Sequence, residues 1–223
     1  MFDAYPRTAD RGAVAEAEWR PVSWRGRASP ALKRTIDVTG AIVLIVLLGW
    51  MLLAVALLVR LTSPGPALFR QRRTGMNGRV FLILKFRTMR VMEDGPAVAQ
   101  AVPNDLRVTR LGAFLRRSSI DELPQLLNVL KGDMSLVGPR PHAVAHDAHY
   151  SAILPHYNRR FAVRPGMTGA AQVLGLRGQI RGPDCIARRV ATDIAYADGW
   201  TVIDDLIIVA RTLGLLIRQT NAV

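Results

Sequence analysis

Asp121 and Glu122 place two adjacent carboxylates at a predicted helix start, in a chain whose formal charge is +13. Arg116, Asp133, Arg140 and the run Gly138-Pro139-Arg140-Pro141 lie close by in sequence. Such acids can hold a metal, and guanidiniums clamp phosphate oxygens, so the mixture suits phosphoryl chemistry. Singly, each piece has a plainer explanation. An Asp-Glu pair in a first turn usually serves the helix dipole, and Arg140 alone reads as a rigid surface turn. Free amides at the helix start, with Arg116 and Arg117 upstream, predict an ionised Asp121 in a site attractive to phosphate.

Other cations fall at element ends. Lys85 and Arg87 close a predicted strand, and Arg164 precedes the rigid turn Pro165-Gly166. His142, His146 and His149 have the four-and-three spacing of a zinc-binding helix face, but no Glu stands between them and a polar surface is the better reading. The chain has no Walker sequence and no GxGxxG, which argues against a P-loop or Rossmann nucleotide site.

The elements that must hold these residues show in the apolar spacing. Ser119 and Glu122 have the spacing of a capping box, Pro124 falls in the first turn, Leu123, Leu126, Leu127 and Leu130 form a stripe, and Gly132 supplies a stop. Ala67–Gln71 and Arg79–Phe86 read as two strands around the turn Gly75-Met76-Asn77-Gly78. Helices are expected over Leu106–Leu115, Ile120–Leu130 and Ala143–Tyr157, while Met92–Asp105 reads as a polar surface excursion. Asp204–Arg218, apolar with sparse charge, reads either as an interfacial helix or as a core helix. Residues 1–30, with mixed charge and three prolines, read as a flexible tail in which Trp19 and Trp24 could meet the lipid interface.

From Val38 to Val59 there is no charge, and as a helix this stretch reaches roughly 33 Å, about a bilayer's hydrocarbon thickness. It does not read as a secretory signal, because mixed-charge sequence precedes it and no small-residue cleavage pattern follows. Lys33 and Arg34 stand before it, and Arg60, Arg70, Arg72, Arg73 and Arg79 after it, so the positive-inside rule places both ends in the cytoplasm. A re-entrant helix meets that condition better than a simple span. The one cysteine, Cys185, excludes an intramolecular disulfide, and 6% aromatic residues argue against a nucleic-acid surface. The expected fold is α/β, mostly helical with a small sheet, comprising a tail (1–30), a membrane-inserted helix (31–62) and a cytosolic, membrane-associated catalytic domain (63–223).

Six blocks, in order, carry a resemblance: Lys33–Asp37, Gln71–Gly75, Lys85–Met89, Leu115–Gln125, Gly132–Pro141 and Val163–Gly169. Over residues 31 to 218 the chain resembles the bacterial sugar transferases of the monotopic phosphoglycosyl transferase family, in the compact form that lacks a multi-span N-terminal region. The resemblance implies that Asp121 attacks the diphosphate of a UDP-sugar, UMP leaves, and polyprenyl phosphate then takes the phosphosugar from Asp121. It implies Mg²⁺ held by Asp121, with Lys85, Arg116 and Arg140 on phosphate. It gives Glu122 a part in proton transfer or acceptor positioning, and makes Gln71, Arg73, Arg87 and Arg164 further substrate contacts. Polyprenyl phosphate, membrane lipids and a second copy of the chain are the implied partners, with no nucleic acid, at the cytosolic face of the bacterial inner membrane. In the family the membrane helix is typically broken by Ser-Pro, whereas Gly49-Trp50 stands here; glycine permits a bend that proline would force. The competing reading is a basic, membrane-tethered scaffold of a glycan-assembly complex without catalysis.

Overall fold

The computed structural model describes residues 29–90, 105–178 and 182–218. Most of the expected tail and of the Met92–Asp105 excursion lies outside these residues. Helix α1 runs Pro30–Thr62, opened by Ser29, whose hydroxyl accepts from the Ala31 amide, and by proline at its first position. It continues through Gly49-Trp50 and stops at the extended residue Ser63, ahead of Pro64. One face of α1 is open, with Val46, Trp50, Leu53 and Leu61 all more than 70% exposed. The opposite face packs on the rest of the chain along its length. Ala41 joins Ile83, Leu126, Val129 and Met134, whereas Val55 and Val59 join Phe86 and Leu115.

Polar residues tie both ends of α1 to the same body. At the start, Arg34 donates to Val129 O (2.6 Å) and Leu130 O (2.8 Å), Lys33 pairs with Asp205 (2.6 Å), and Asp37 accepts from Ser135 Oγ and the Leu136 amide, both at 2.9 Å. At its end, Arg87 donates to Val59 O and to Ser63 O (2.6 Å), satisfying carbonyls that a helix terminus leaves free.

Strands β1 (Leu68–Thr74) and β2 (Val80–Phe86) form the expected hairpin, with Asn77 and Gly78 at positive φ in its turn. A second sheet was not expected. Strands β3 (Ser135–Val137) and β4 (Gly166–Thr168) pair in parallel within stretches that read as period-free turns. Three residues are too few to show an alternation. Helix α2 (Arg110–Arg117) starts later than expected because Thr109 caps it through the Gly112 amide. The predicted helix over 120–130 divides into a 3₁₀ segment, Ile120–Gln125, and helix α3, Leu126–Lys131, ended by Gly132 at φ 90°. The predicted helix over 143–157 closes earlier, as α4 (Val144–Ile153), followed by a 3₁₀ segment Tyr157–Ala162. Helices α5 (Ala170–Val173), α6 (Pro183–Gly199) and α7 (Val202–Arg218) follow. Helix α7 buries Asp204, Asp205 and Ile208 and leaves Leu206, Val209, Leu213 and Leu216 exposed. The architecture is thus mostly helical, with two small sheets and one long apolar N-terminal helix.

Candidate active site

The turn carrying Asp121 and Glu122 is set by its neighbours on both sides. After α2, Ser119 takes a left-handed conformation (φ 58°), and its hydroxyl accepts from Arg177 (2.8 Å) rather than from a helix amide. The capping box suggested by Ser119 and Glu122 is therefore not formed. The Glu122 amide bonds to Ser119 O instead (3.2 Å), which begins the tighter 3₁₀ turn. Downstream, Asn128 on α3 grips the edge of β2, accepting from the Leu84 amide (2.9 Å) and donating to Leu82 O (2.7 Å). That contact fixes Lys85, at the end of β2, beside the acidic turn.

Glu122 is the hub of the resulting cluster. Lys85 Nζ donates to its Oε1 at 2.9 Å, and Arg140 takes both oxygens in a fork, with Nη1 to Oε2 at 2.9 Å. Burial alone would raise this carboxyl, but Arg140 and Lys85 hold it well below the usual carboxylate range. Asp121, 8% exposed, makes no ion pair or hydrogen bond through its side chain among the described residues. Burial, and then the adjacent Glu122 charge, push its carboxyl up to about 6, against the pull of Lys85, Arg140 and Arg116. The expected help from Arg116 is present but outweighed. Asp121 is ionised at neutral pH, yet nearer its titration than the sequence suggested. One turn on, Gln125 is 1% exposed and its Nε2 has no partner among the described residues.

Arg140 reaches Glu122 because its loop is tied by the main chain. Neither Pro139 nor Pro141 can donate a backbone hydrogen bond, and all three carbonyls of the loop are engaged. Pro139 O accepts from the Gly166 amide (2.9 Å), Arg140 O from Arg160 (2.6 Å) and Pro141 O from Arg73 (3.1 Å). The strands here cross so closely that a Cβ on Gly138 would lie 2.4 Å from Arg164 O.

The other residues singled out in the sequence are placed as follows. Arg73 and Gln71 bond each other, and Arg73 holds Pro141 O, so this pair supports the loop from β1. Arg87 caps α1 through Ser63 O and Oγ, and Arg164 donates to Gly132 O (3.0 Å), so these bonds go elsewhere than to the Glu122 cluster. The three histidines do not come together as a ligand set among the described residues. His142 is buried, with Nδ1 against the Tyr157 hydroxyl (2.7 Å), and all three rings surround Tyr150. Among the described residues no group of three or more His, Cys, Asp or Glu side chains encloses a cation site.

Sequence reasoning missed the buried set behind Arg140: Tyr157, Arg160 and Asp193. Arg160 sits in an unremarkable cationic run, and Asp193 belongs to a helix whose buried face also carries Arg189 and Thr192. Polar residues there hide the apolar period.

A family model described as bacterial sugar transferase matches residues 28–219. The chain belongs to the bacterial sugar transferase family. It is 56% identical over 190 residues to a UDP-glucose:undecaprenyl-phosphate glucose-1-phosphate transferase of Caulobacter vibrioides, covering 85% of this chain and 71% of that protein. It is 48% identical to a protein of the same name from Escherichia coli, covering 82% of this chain and 39% of that one. An exopolysaccharide production protein of Rhizobium leguminosarum is 47% identical, with 82% and 93% covered. The chain thus spans most of two of these family members and well under half of the third.

Proposed function

We propose that this chain transfers a sugar-1-phosphate from a UDP-sugar to undecaprenyl phosphate, releasing UMP and starting assembly of a bacterial exopolysaccharide, and that glucose is the sugar. The observation that carries the reading is the asymmetry of the dyad. Glu122 is saturated by Lys85 and Arg140, while Asp121 beside it is desolvated and free to attack. The relatives named for the glucose reaction support the donor and the acceptor.

An Asp121 carboxylate oxygen attacks the sugar-bearing phosphorus, and the bond from that phosphorus to the bridging oxygen breaks, with UMP carrying the electron pair away. An oxygen of undecaprenyl phosphate then attacks the same phosphorus, the acyl-phosphate bond breaks, and the Asp121 carboxylate returns. Lys85, Arg116 and Arg140 offset charge that grows on the phosphoryl oxygens. Glu122, ionised at neutral pH, holds Lys85 and Arg140 in place rather than carrying a proton. Asp121 also suits Mg²⁺: it is one free carboxylate, and Mg²⁺ is commonly held by one or two carboxylates plus substrate phosphates. When bound, the ion would draw charge from the diphosphate.

The docking of α1 supports a re-entrant arrangement. Lys33, Arg34 and Asp37 at one end, and Val59 and Ser63 at the other, bond to the same body. A helix crossing the whole bilayer would leave one of those sets of contacts on the wrong side. In this reading α1 enters the inner membrane from the cytosolic face without crossing it, in the re-entrant manner, and the exposed apolar residues of α7 rest at the interface. Labels at residues 2 and 222 should both be reached from the cytosolic side only. Opposite-side access would overturn this topology.

The chemistry is tested by incubating the full chain with UDP-glucose and Mg²⁺ but no acceptor. Mass spectrometry should find a phosphohexose on Asp121, and undecaprenyl phosphate should remove it. Product formation without that adduct would exclude the covalent route. A scaffold without catalysis would release no UMP.

A further inference from the structure

Behind Arg140, on the side away from Glu122, lies a second buried guanidinium, Arg160, only 1% exposed at its side chain. Its Nη2 donates both to Arg140 O (2.6 Å) and to Asp193 Oδ2 (2.7 Å), and its Nε adds a bond to the same carboxylate (3.2 Å). Its Nη1 meets the Tyr157 hydroxyl (3.1 Å), which in turn donates to Asp147. Asp193, on α6, is 2% exposed at its side chain. A pair this deep costs desolvation energy that an apolar pair of the same volume would not, so stability alone is a poor reason for it. What the pair supplies is direction. A planar fork held on one edge by a carboxylate presents its remaining donors along fixed lines, and one of them ends on the carbonyl of Arg140.

We infer that Arg160 and Asp193 are positioning residues for the transfer reaction: Asp193 orients Arg160, Arg160 fixes the main chain of Arg140, and Arg140 is thereby held where its fork meets Glu122. This rests on the transferase function proposed above. The two prolines make the route effective. With φ preset on both sides of Arg140, the loop has few ways to move once its three carbonyls are held, so a shift at Arg140 O passes directly to the guanidinium. Arg73 on Pro141 O and the Gly166 amide on Pro139 O fix the flanks, and the middle carbonyl depends on Arg160.

The test is a double-mutant cycle on the full chain in detergent, reading UMP release from UDP-glucose with Mg²⁺ and undecaprenyl phosphate. Asp193→Asn keeps the shape of the side chain and weakens the hold on Arg160. It should lower kcat roughly 10–100-fold, the scale of a slightly displaced catalytic group, with KM for UDP-glucose within about threefold. In an Arg140→Lys background, where the fork on Glu122 is already gone, the same change should cost less than about threefold. A merely structural role would lower both backgrounds by the same factor, and that additive result would overturn the inference, as would a rise in KM with kcat unchanged. If Asp193→Asn does not fold, Arg160→Lys, which replaces the fork by one nitrogen, runs the same cycle with the same two outcomes. Absence of UMP release by the unmodified chain would overturn the transferase function and the positioning role together, whereas an active chain with an additive cycle would overturn the positioning role alone.

Discussion

Two clusters of buried charge share the residue Arg140 and differ in how they are completed. On one side Glu122 is matched by Lys85 and Arg140, but the adjacent Asp121 has no side-chain bond among the described residues. On the other side Arg160 joins Asp193, Tyr157 and His142 in a buried network of hydrogen bonds. Burial acts on both. In the network it raises the Asp193 and Asp147 carboxyls, though both are hydrogen-bonded, and His142, desolvated and facing Arg160, is held well below its usual range and stays neutral. At the dyad it is left partly unanswered, and the Asp121 carboxyl rises to about 6. The hydrogen-bonded cluster backs the loop of Arg140, whereas the dyad leaves one carboxylate without a bonded partner among the described residues.

The contrast breaks most sharply at Asp121. Asp121→Asn should lower UMP release at least ~10³-fold, the cost expected for loss of a covalent nucleophile, with the fold retained. Next comes Glu122→Gln. It leaves Lys85 and Arg140 facing each other without their carboxylate, and should destabilise by roughly 3 kcal/mol at neutral pH, read from denaturant unfolding. Because the pKa of Glu122 is depressed, that difference should be full above pH 4.5 and shrink as the pH falls.

Asp121 has the opposite sign. Its folded pKa is raised above the ordinary 3.8, so its contribution to stability is complete below pH 4 and is lost as the pH rises through 6. Asp121→Asn should therefore stabilise the protein at pH 7.5 by on the order of 1–3 kcal/mol and have no such effect at pH 3.5. A proposed nucleophile that also destabilises its surroundings would be the clearest mark of the difference between the clusters. The smallest effect is expected at Ser119. Ser119→Gly relieves a left-handed conformation and loses the Arg177 contact, so the net change should be within about 1 kcal/mol.

Much of this was legible in the residues themselves. The uncharged stretch marked α1, the Gly75–Gly78 turn marked the hairpin, and Gly132 marked the end of α3. The family resemblance put Lys85 and Arg140 on substrate phosphate, and their pairing with Glu122 emerged only from the structure. What sequence did not reveal depends on distant partners. The capping-box spacing is present, but the Ser119 hydroxyl is drawn to Arg177 from a later loop. The parallel β3–β4 pair is created where glycine backbones cross, and no side-chain pattern announces it. Helix α6 was missed because Arg189, Thr192 and Asp193 occupy positions where an apolar residue would have revealed its buried face.

The docking of α1 has a practical consequence. Because Ala41, Val55 and Val59 are walls of the interior shared with Ile83, Met134, Phe86 and Leu115, the hydrophobic helix is not a detachable tether. Trimming it to obtain a water-soluble enzyme would open the protein along two seams, and a preparation that retains activity must carry the helix with it, its outward stripe covered by detergent or lipid.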